Sequence, residues 1–247
     1  MPKFFVEPSK VNGGTIVIDT DDVNHIVRVL RMEIGDEISV CDSAGMDYSA
    51  KISEITNKSV LCDILSQRKS DTEPALEVTL WQGIPKGSKM EYIIQKTTEL
   101  GIKRIVPVSM SRCVSKIESK KDGEKKVQRW QKIAESAAKQ SGRGIVPEIC
   151  MPVSFNEAVN AMCKCDKAFA PYECEENNTI KSEISGISGS MSVGFIIGPE
   201  GGFAPEEIDK LQKDGIHSVT LGKRILRTET AGETVLAILM YEANEMQ

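Results

Sequence analysis

From Leu76 onward, short apolar runs alternate with segments whose apolar residues recur every three or four positions, and few folds accommodate that rhythm. Residues 76–81, 104–109, 145–149, 167–170, 193–197 and 218–221 read as strands. Between them, Met90, Ile93, Ile94 and Leu100 line one helical face before Gly101, and Val127, Trp130, Ile133, Ala134 and Ala137 line another. Ser88 with Glu91 and Ser154 with Glu157 have capping-box spacing, residues 205–213 form a helix ended by Gly215, and Thr230 with Glu233 opens a last helix. Strands apolar on both faces, alternating with helices, predict an α/β domain on a mainly parallel sheet. The polar stretch 172–190 reads as loop.

The first 70 residues keep a different rhythm. Strands at 3–6, 15–18, 37–41, 48–55 and 59–65 are separated by Gly13-Gly14, Gly35-Asp36 and Asn57-Lys58, the pattern of a small β-barrel. One helix crosses it at 22–31, where Val23, Ile26, Val27 and Leu30 share a face. A polar linker, 66–74, ends in proline, so the chain divides into domains at 1–70 and 74–247.

The longest apolar runs, such as 235–241, are too short to span a bilayer, and no basic n-region precedes an apolar h-region, which points to the cytoplasm and no membrane partner. Seven cysteines at irregular spacing make no disulfide framework. Cys163, Cys165 and Cys174 contain no C-x-x-C pair and neither histidine lies near them in sequence, so no metal is expected. Net charge is −5, yet residues 103–145 carry 12 basic side chains against 4 acidic. That local excess, which includes Arg112, Lys116, Lys120, Lys121, Lys125, Lys126 and Arg143, is either a polyanion contact or a solvated helix face.

Two turns carry the chemistry. Ile197-Gly198-Pro199-Glu200-Gly201-Gly202 and Leu221-Gly222-Lys223-Arg224-Ile225-Leu226-Arg227 each follow a strand and precede a helix, where glycines admit a ligand to the backbone and free N–H groups point toward it. Neither is a G-x-G-x-x-G dinucleotide loop, and Gly222-Lys223 lacks the Ser or Thr of a Walker loop. With the turn at Pro171-Tyr172, they lie at strand carboxyl ends, where such sheets bind ligands.

These two motifs, with Gln95-Lys96-x-x-Glu99-Leu100-Gly101, Ser111-Arg112-Cys113 and His25-x-x-Arg28-Val29-Leu30-Arg31, resemble the ribosomal small subunit methyltransferase E family over essentially the whole chain. The resemblance implies a trefoil-knotted SPOUT domain after a PUA-like barrel, acting as a homodimer on 16S ribosomal RNA or the small subunit. It implies S-adenosylmethionine gripped by Ile197, Gly198, Pro199, Glu200, Gly201, Gly202, Leu221, Gly222, Ile225 and Leu226, with Pro171 and Tyr172 closing the adenine side. It also implies methylation at N3 of a uridine. Arg28 and Arg31 in the small domain, and Arg112 and Arg143 flanking the basic segment, are candidate RNA contacts, with a solvated role the alternative for each. Family members often begin with arginine where this chain has Lys3, which supplies a point charge instead of a fork.

Uridine N3 is mostly protonated at neutral pH, so methyl transfer requires removal of that proton or stabilisation of the developing oxyanion. Arg227 and Glu229 are the candidate pair, Arg227 steadying charge on uracil and Glu229 accepting the proton or holding Arg227; a structural ion pair capping the helix is the alternative. Glu99, close to Gly101, reads as structural. Two other functions fit the chain: a SPOUT enzyme aimed at a ribose 2′-O or guanine N1, and an RNA-binding module without activity.

Overall fold

The computed structural model describes residues 3–115, 117 and 119–246, so Lys116 of the basic segment lies outside the described residues. The chain forms two compact units, Met1–Glu73 with Ala138–Val146, and Pro74–Ala137 with Pro147–Gln247.

In the first unit, β1 (Lys3–Phe5), β2 (Val11–Asn12), β3 (Thr15–Ile18), β4 (Glu37–Cys41), β5 (Met46–Ile55) and β6 (Val60–Lys69) make one sheet in the order β1-β4-β5-β6-β3-β2. Only β1 and β4 pair in parallel. Alternation along each strand sends Ile16, Ile18, Ile38, Val40, Ile52, Val60 and Cys62 into a shared core with Phe4 and Ile26. Register shifts at Ser49/Ala50 and Ile52/Glu54 bend the long β5–β6 ribbon.

The helix expected at 22–31 is shorter and wider than its periodicity suggests. Helix α1 (Asp22–Asn24) runs straight into a π turn, His25–Val29, and Arg31 follows at φ 53°. Val23 and Ile26 are buried as expected, but the wider turn changes the rotation per residue and leaves Leu30 of the same face exposed.

Segment 138–146 completes this unit by closing several contacts at once. Lys139 pairs with Asp22 at 2.8 Å, the Cys41 thiol donates to the Gly144 carbonyl, and Ala138 and Val146 pack on Phe5 and Cys41. Lys3 is also turned inward, 2.8 Å from Asp47 and donating to the Gly142 carbonyl. Burial pushes the thiols of Cys41 and Cys62 up to about 11 and about 12, as expected of core cysteines.

The second unit contains β7 (Glu77–Gly83), α2 (Lys89–Glu99), β8 (Arg104–Ser109), α3 (Lys120–Ser141, whose last turn joins the first unit), β9 (Glu148–Ile149), β10 (Val153–Ser154) and α4 (Phe155–Met162). It continues with β11 (Lys167–Pro171), α5 (Ile180–Glu183), β12 (Ser192–Ile197), α6 (Pro205–Lys213), β13 (His217–Val219) and α7 (Thr228–Glu242). The sheet order is β10-β8-β7-β12-β11-β13 with β9 beside β8, and every pairing is parallel, as the apolar runs imply. Phe169 and Phe195, opposite one another on β11 and β12, stack in its centre with no exposed surface.

Several boundaries move. Ser154 and Glu157 form the expected capping box, whereas the Ser88 side chain caps nothing because its backbone, at φ −88° and ψ 4°, is not extended. The strand expected at 145–149 shrinks to β9, since residues up to Val146 belong to the first unit. Helix α7 begins at Thr228, not after Thr230, with Arg227 at its N-cap. No helix among the described residues is long and apolar enough to cross a membrane, and no group of three or more potential ligands there could hold a metal ion.

Candidate functional site

All strands of the second unit run the same way, so the turns after β7, β11, β12 and β13 emerge on one edge of the sheet. Three of them are the turns singled out in the sequence, and side chains join them. Thr228, at the head of α7, donates its hydroxyl to the Gly198 carbonyl at 2.7 Å and accepts from Gln82 Nε2 at 2.9 Å. Gln82, fully buried near the end of β7, spends its other amide hydrogen on the Gly83 carbonyl. The hydroxyl is thereby fixed in direction, tying the loop after β12 to the loop before α7.

The Pro171-Tyr172 turn joins from the other side. The Tyr172 amide extends the β11–β13 pairing by donating to Val219, and its ring meets Phe203 edge-on at 6.2 Å. Arg112 arrives from the loop after β8, donating to the Gly201 carbonyl at 3.0 Å, while the Ser111 amide donates to Glu207 in α6. A Cβ on Gly201 would sit 3.0 Å from the Arg112 Cβ, so a side chain there would press on Arg112.

Charge is concentrated at the head of α2. Lys89 Nζ lies 3.3 Å from Glu200 and 3.2 Å from Glu229 Oε2, and the Lys86 amide also donates to Glu200. Desolvation lowers the Lys89 ammonium, but the nearby Glu229 and Glu200 carboxylates outweigh it and leave the group above its ordinary value. Desolvation raises the Glu200 carboxyl, and its own amide, the Lys86 amide and Lys89 bring it below the usual range. Glu229 Oε2 is buried, and its contact with Lys89 satisfies the distance of an ion pair but not the angles of a hydrogen bond.

The structure therefore gathers Pro171, Tyr172, Ile197 to Gly202, Leu221 to Leu226, Arg227 and Glu229 on one edge of one unit, with Arg112 touching them. Glu229 pairs with Lys89 and not with Arg227, which is exposed and has no side-chain partner among the described residues. Arg28, Arg31 and Arg143 belong to the first unit. Arg28 and Arg31 are exposed, whereas Arg143 is 4% exposed and locked 2.6 Å from Glu73, which removes it from the basic surface.

The gathered loops suit a ligand with both polar and apolar parts. The backbone N–H groups from Lys223 to Arg227 have no hydrogen-bond partner among the described residues, Ile225 beside them is 84% exposed, and Gly222 turns at φ 100° with open space where a Cβ would stand. Lys89, Gln82 and Glu207 were not identified from sequence. A glutamine closing an apolar strand was the one visible signal among them.

Comparisons with known proteins agree with this geometry. Residues 72–240 match an RNA methyltransferase domain family and residues 18–65 an RNA methyltransferase PUA domain. Ribosomal RNA small subunit methyltransferase E of Bacillus subtilis is 36% identical over 250 residues, covering 98% of this chain and 97% of its own. The protein of that name from Synechocystis is 30% identical, over 95% of this chain and 76% of its own. The solved structure of Neisseria gonorrhoeae ribosomal RNA small subunit methyltransferase E bound to S-adenosyl methionine superposes with a TM-score of 0.87 at 30% identity, covering 98% of both chains.

Proposed function

The chain belongs to the ribosomal RNA small subunit methyltransferase E family, and from that premise we propose that it transfers a methyl group from S-adenosylmethionine to N3 of a uridine in 16S ribosomal RNA. The observation that carries the reading is the Thr228–Gly198 hydrogen bond, which makes one rim of two loops otherwise separated by α6 and β13. The cofactor supplies an electrophilic methyl group. Gly198 to Gly202 and Leu221 to Leu226 wall its site, with open amides and Ile225 as the matching donor and apolar surfaces, and Pro171 and Tyr172 close the third side.

At the reacting end, Arg227 steadies the negative charge that gathers on the uracil oxygens as N3 loses its proton. Exposed, and without a side-chain partner among the described residues, the guanidinium is free to do so. Glu229 Oε2, not engaged in a directed hydrogen bond, is the candidate proton acceptor. Arg28 and Arg31 in the PUA unit, with Arg112 and the lysines of α3, supply the RNA contacts.

The reading includes a homodimer, because Ala237, Ile238 and Tyr241 form a partly exposed side of α7. It includes the trefoil knot that the family resemblance implies. It also assigns the protein to the cytoplasm with its RNA.

Mass mapping of 16S RNA after incubation of the protein and S-adenosylmethionine with unmodified small subunits tests the reading. A single methyl on uracil N3 supports it; a methyl on a ribose 2′-O or guanine N1, or none, overturns it.

A further inference from the structure

Lys89 is the first residue of α2, where the helix dipole disfavours a cation. What holds it there comes from far along the chain: Glu200 lies in the loop after β12 and Glu229 in the first turn of α7. Its side chain is one-third exposed, that of Glu200 about a quarter and that of Glu229 17%, so the charges lie at the mouth of the site, least hydrated at Glu229. Glu200 is pinned a second time by the Lys86 amide, from the turn that leads into α2.

We infer that Lys89 is a positioning residue that bridges the cofactor loop, through Glu200, to the reacting end, through Glu229. The inference rests on the methyltransferase reading and deepens it. Glu229 has no directed hydrogen bond at Oε2 among the described residues, so the ammonium is what orients its carboxylate and balances its charge. One cation shared by carboxylates from two loops makes the place of Glu229 depend on the loop that grips the cofactor. Lys89 touches neither reacting atom; it acts through the two glutamates.

The test uses the full-length protein with Lys89→Met, Lys89→Arg, Glu229→Gln and the double variant Lys89→Met/Glu229→Gln. Lys89→Met should lower the single-turnover methyl-transfer rate on small subunits by about tenfold or more, with calorimetric cofactor affinity within about threefold of wild type. Lys89→Arg should recover most of the rate, because it keeps the charge. If Lys89 acts through Glu229, the double variant should be no slower than the slower single variant.

In the free protein, amide hydrogen exchange at Lys86 and across 228–231 should accelerate in Lys89→Met and not in Lys89→Arg. Lys89→Gln carries the same expectations should Lys89→Met fail to fold. A wild-type rate in Lys89→Met, a rate loss matched by loss of cofactor affinity, or losses that multiply in the double variant would each overturn the inference. A wild-type protein that transfers no methyl overturns the parent reading alone; the bridge itself is then overturned by unchanged exchange in Lys89→Met.

Discussion

The hydroxyl of Thr228 lies 2.7 Å from the carbonyl oxygen of Gly198, thirty residues earlier, and fastens the head of the last helix to the glycine loop after β12. Both groups are buried, and Gln82 supplies the complementary donor.

Thr228→Val keeps the shape and removes the hydroxyl, leaving the Gly198 carbonyl and one Gln82 amide hydrogen buried without partners. Unfolding in urea should show a loss of about 1–3 kcal/mol, and calorimetry a weaker affinity for S-adenosylmethionine. Thr228→Ser should restore both.

Arg227→Ala should leave stability and cofactor affinity near wild type, since the side chain is exposed and has no partner among the described residues. The single-turnover methyl-transfer rate should fall by about a hundredfold or more if the guanidinium stabilises charge on uracil. A near wild-type rate would move that role to another residue.

Salt dependence of RNA binding separates the exposed cations of α3 from the buried one beyond it. Replacing Lys120, Lys121 and Lys125 with glutamine should flatten the slope of log affinity against log salt by about two to three units, without changing cofactor affinity. Arg143→Met should leave the slope unchanged and cost about 3 kcal/mol or more of stability, because Glu73 loses its counter-ion.

Glu175 gives the acid response of the loop after β11. Hydrogen bonds from the Ser218 hydroxyl and the amides of Asn178 and Asn177 hold its carboxyl down at about 2. A depressed carboxyl stabilises the fold fully above its ordinary value of about 4.3, and that contribution disappears as pH falls through the folded value. Thermal unfolding should find Glu175→Gln less stable than wild type near neutral pH, with the difference closing toward about pH 2.

Elements that depend on local pattern were legible in the sequence. Residues 193–197 and 76–81 are apolar on both faces because β12 and β7 lie inside a parallel sheet, and Ser154 announces α4 by its own geometry. The π turn at His25–Val29 was not, since the same apolar residues fit a regular helix until one extra residue per turn turns Leu30 away from the core. Nor was the fate of Arg143: a run of basic residues does not disclose that one of them finds Glu73, seventy positions earlier.

At the site, the glycine turns stood out, but the reason for one of them differed. Gly201 makes room for Arg112, which no reading of its own loop could reveal. Lys89 and Gln82 owe their importance to Glu229 and Thr228, some 140 residues away, and only the folded sheet edge brings those pairs together.

The interleaving of the two units also sets an order of events on the ribosome that makes the chain. Sixty-four residues of the second unit, Pro74–Ala137, are synthesised before Ala138–Val146 appear. Until then Phe5 and Cys41 lack the apolar cover of Ala138 and Val146, and Glu73 waits for Arg143. The N-terminal unit, although first to emerge, is therefore not complete until Val146 has been made. Its closure waits for a segment that lies past the midpoint of the chain, and a protein interrupted before that segment would carry an open β-sheet core.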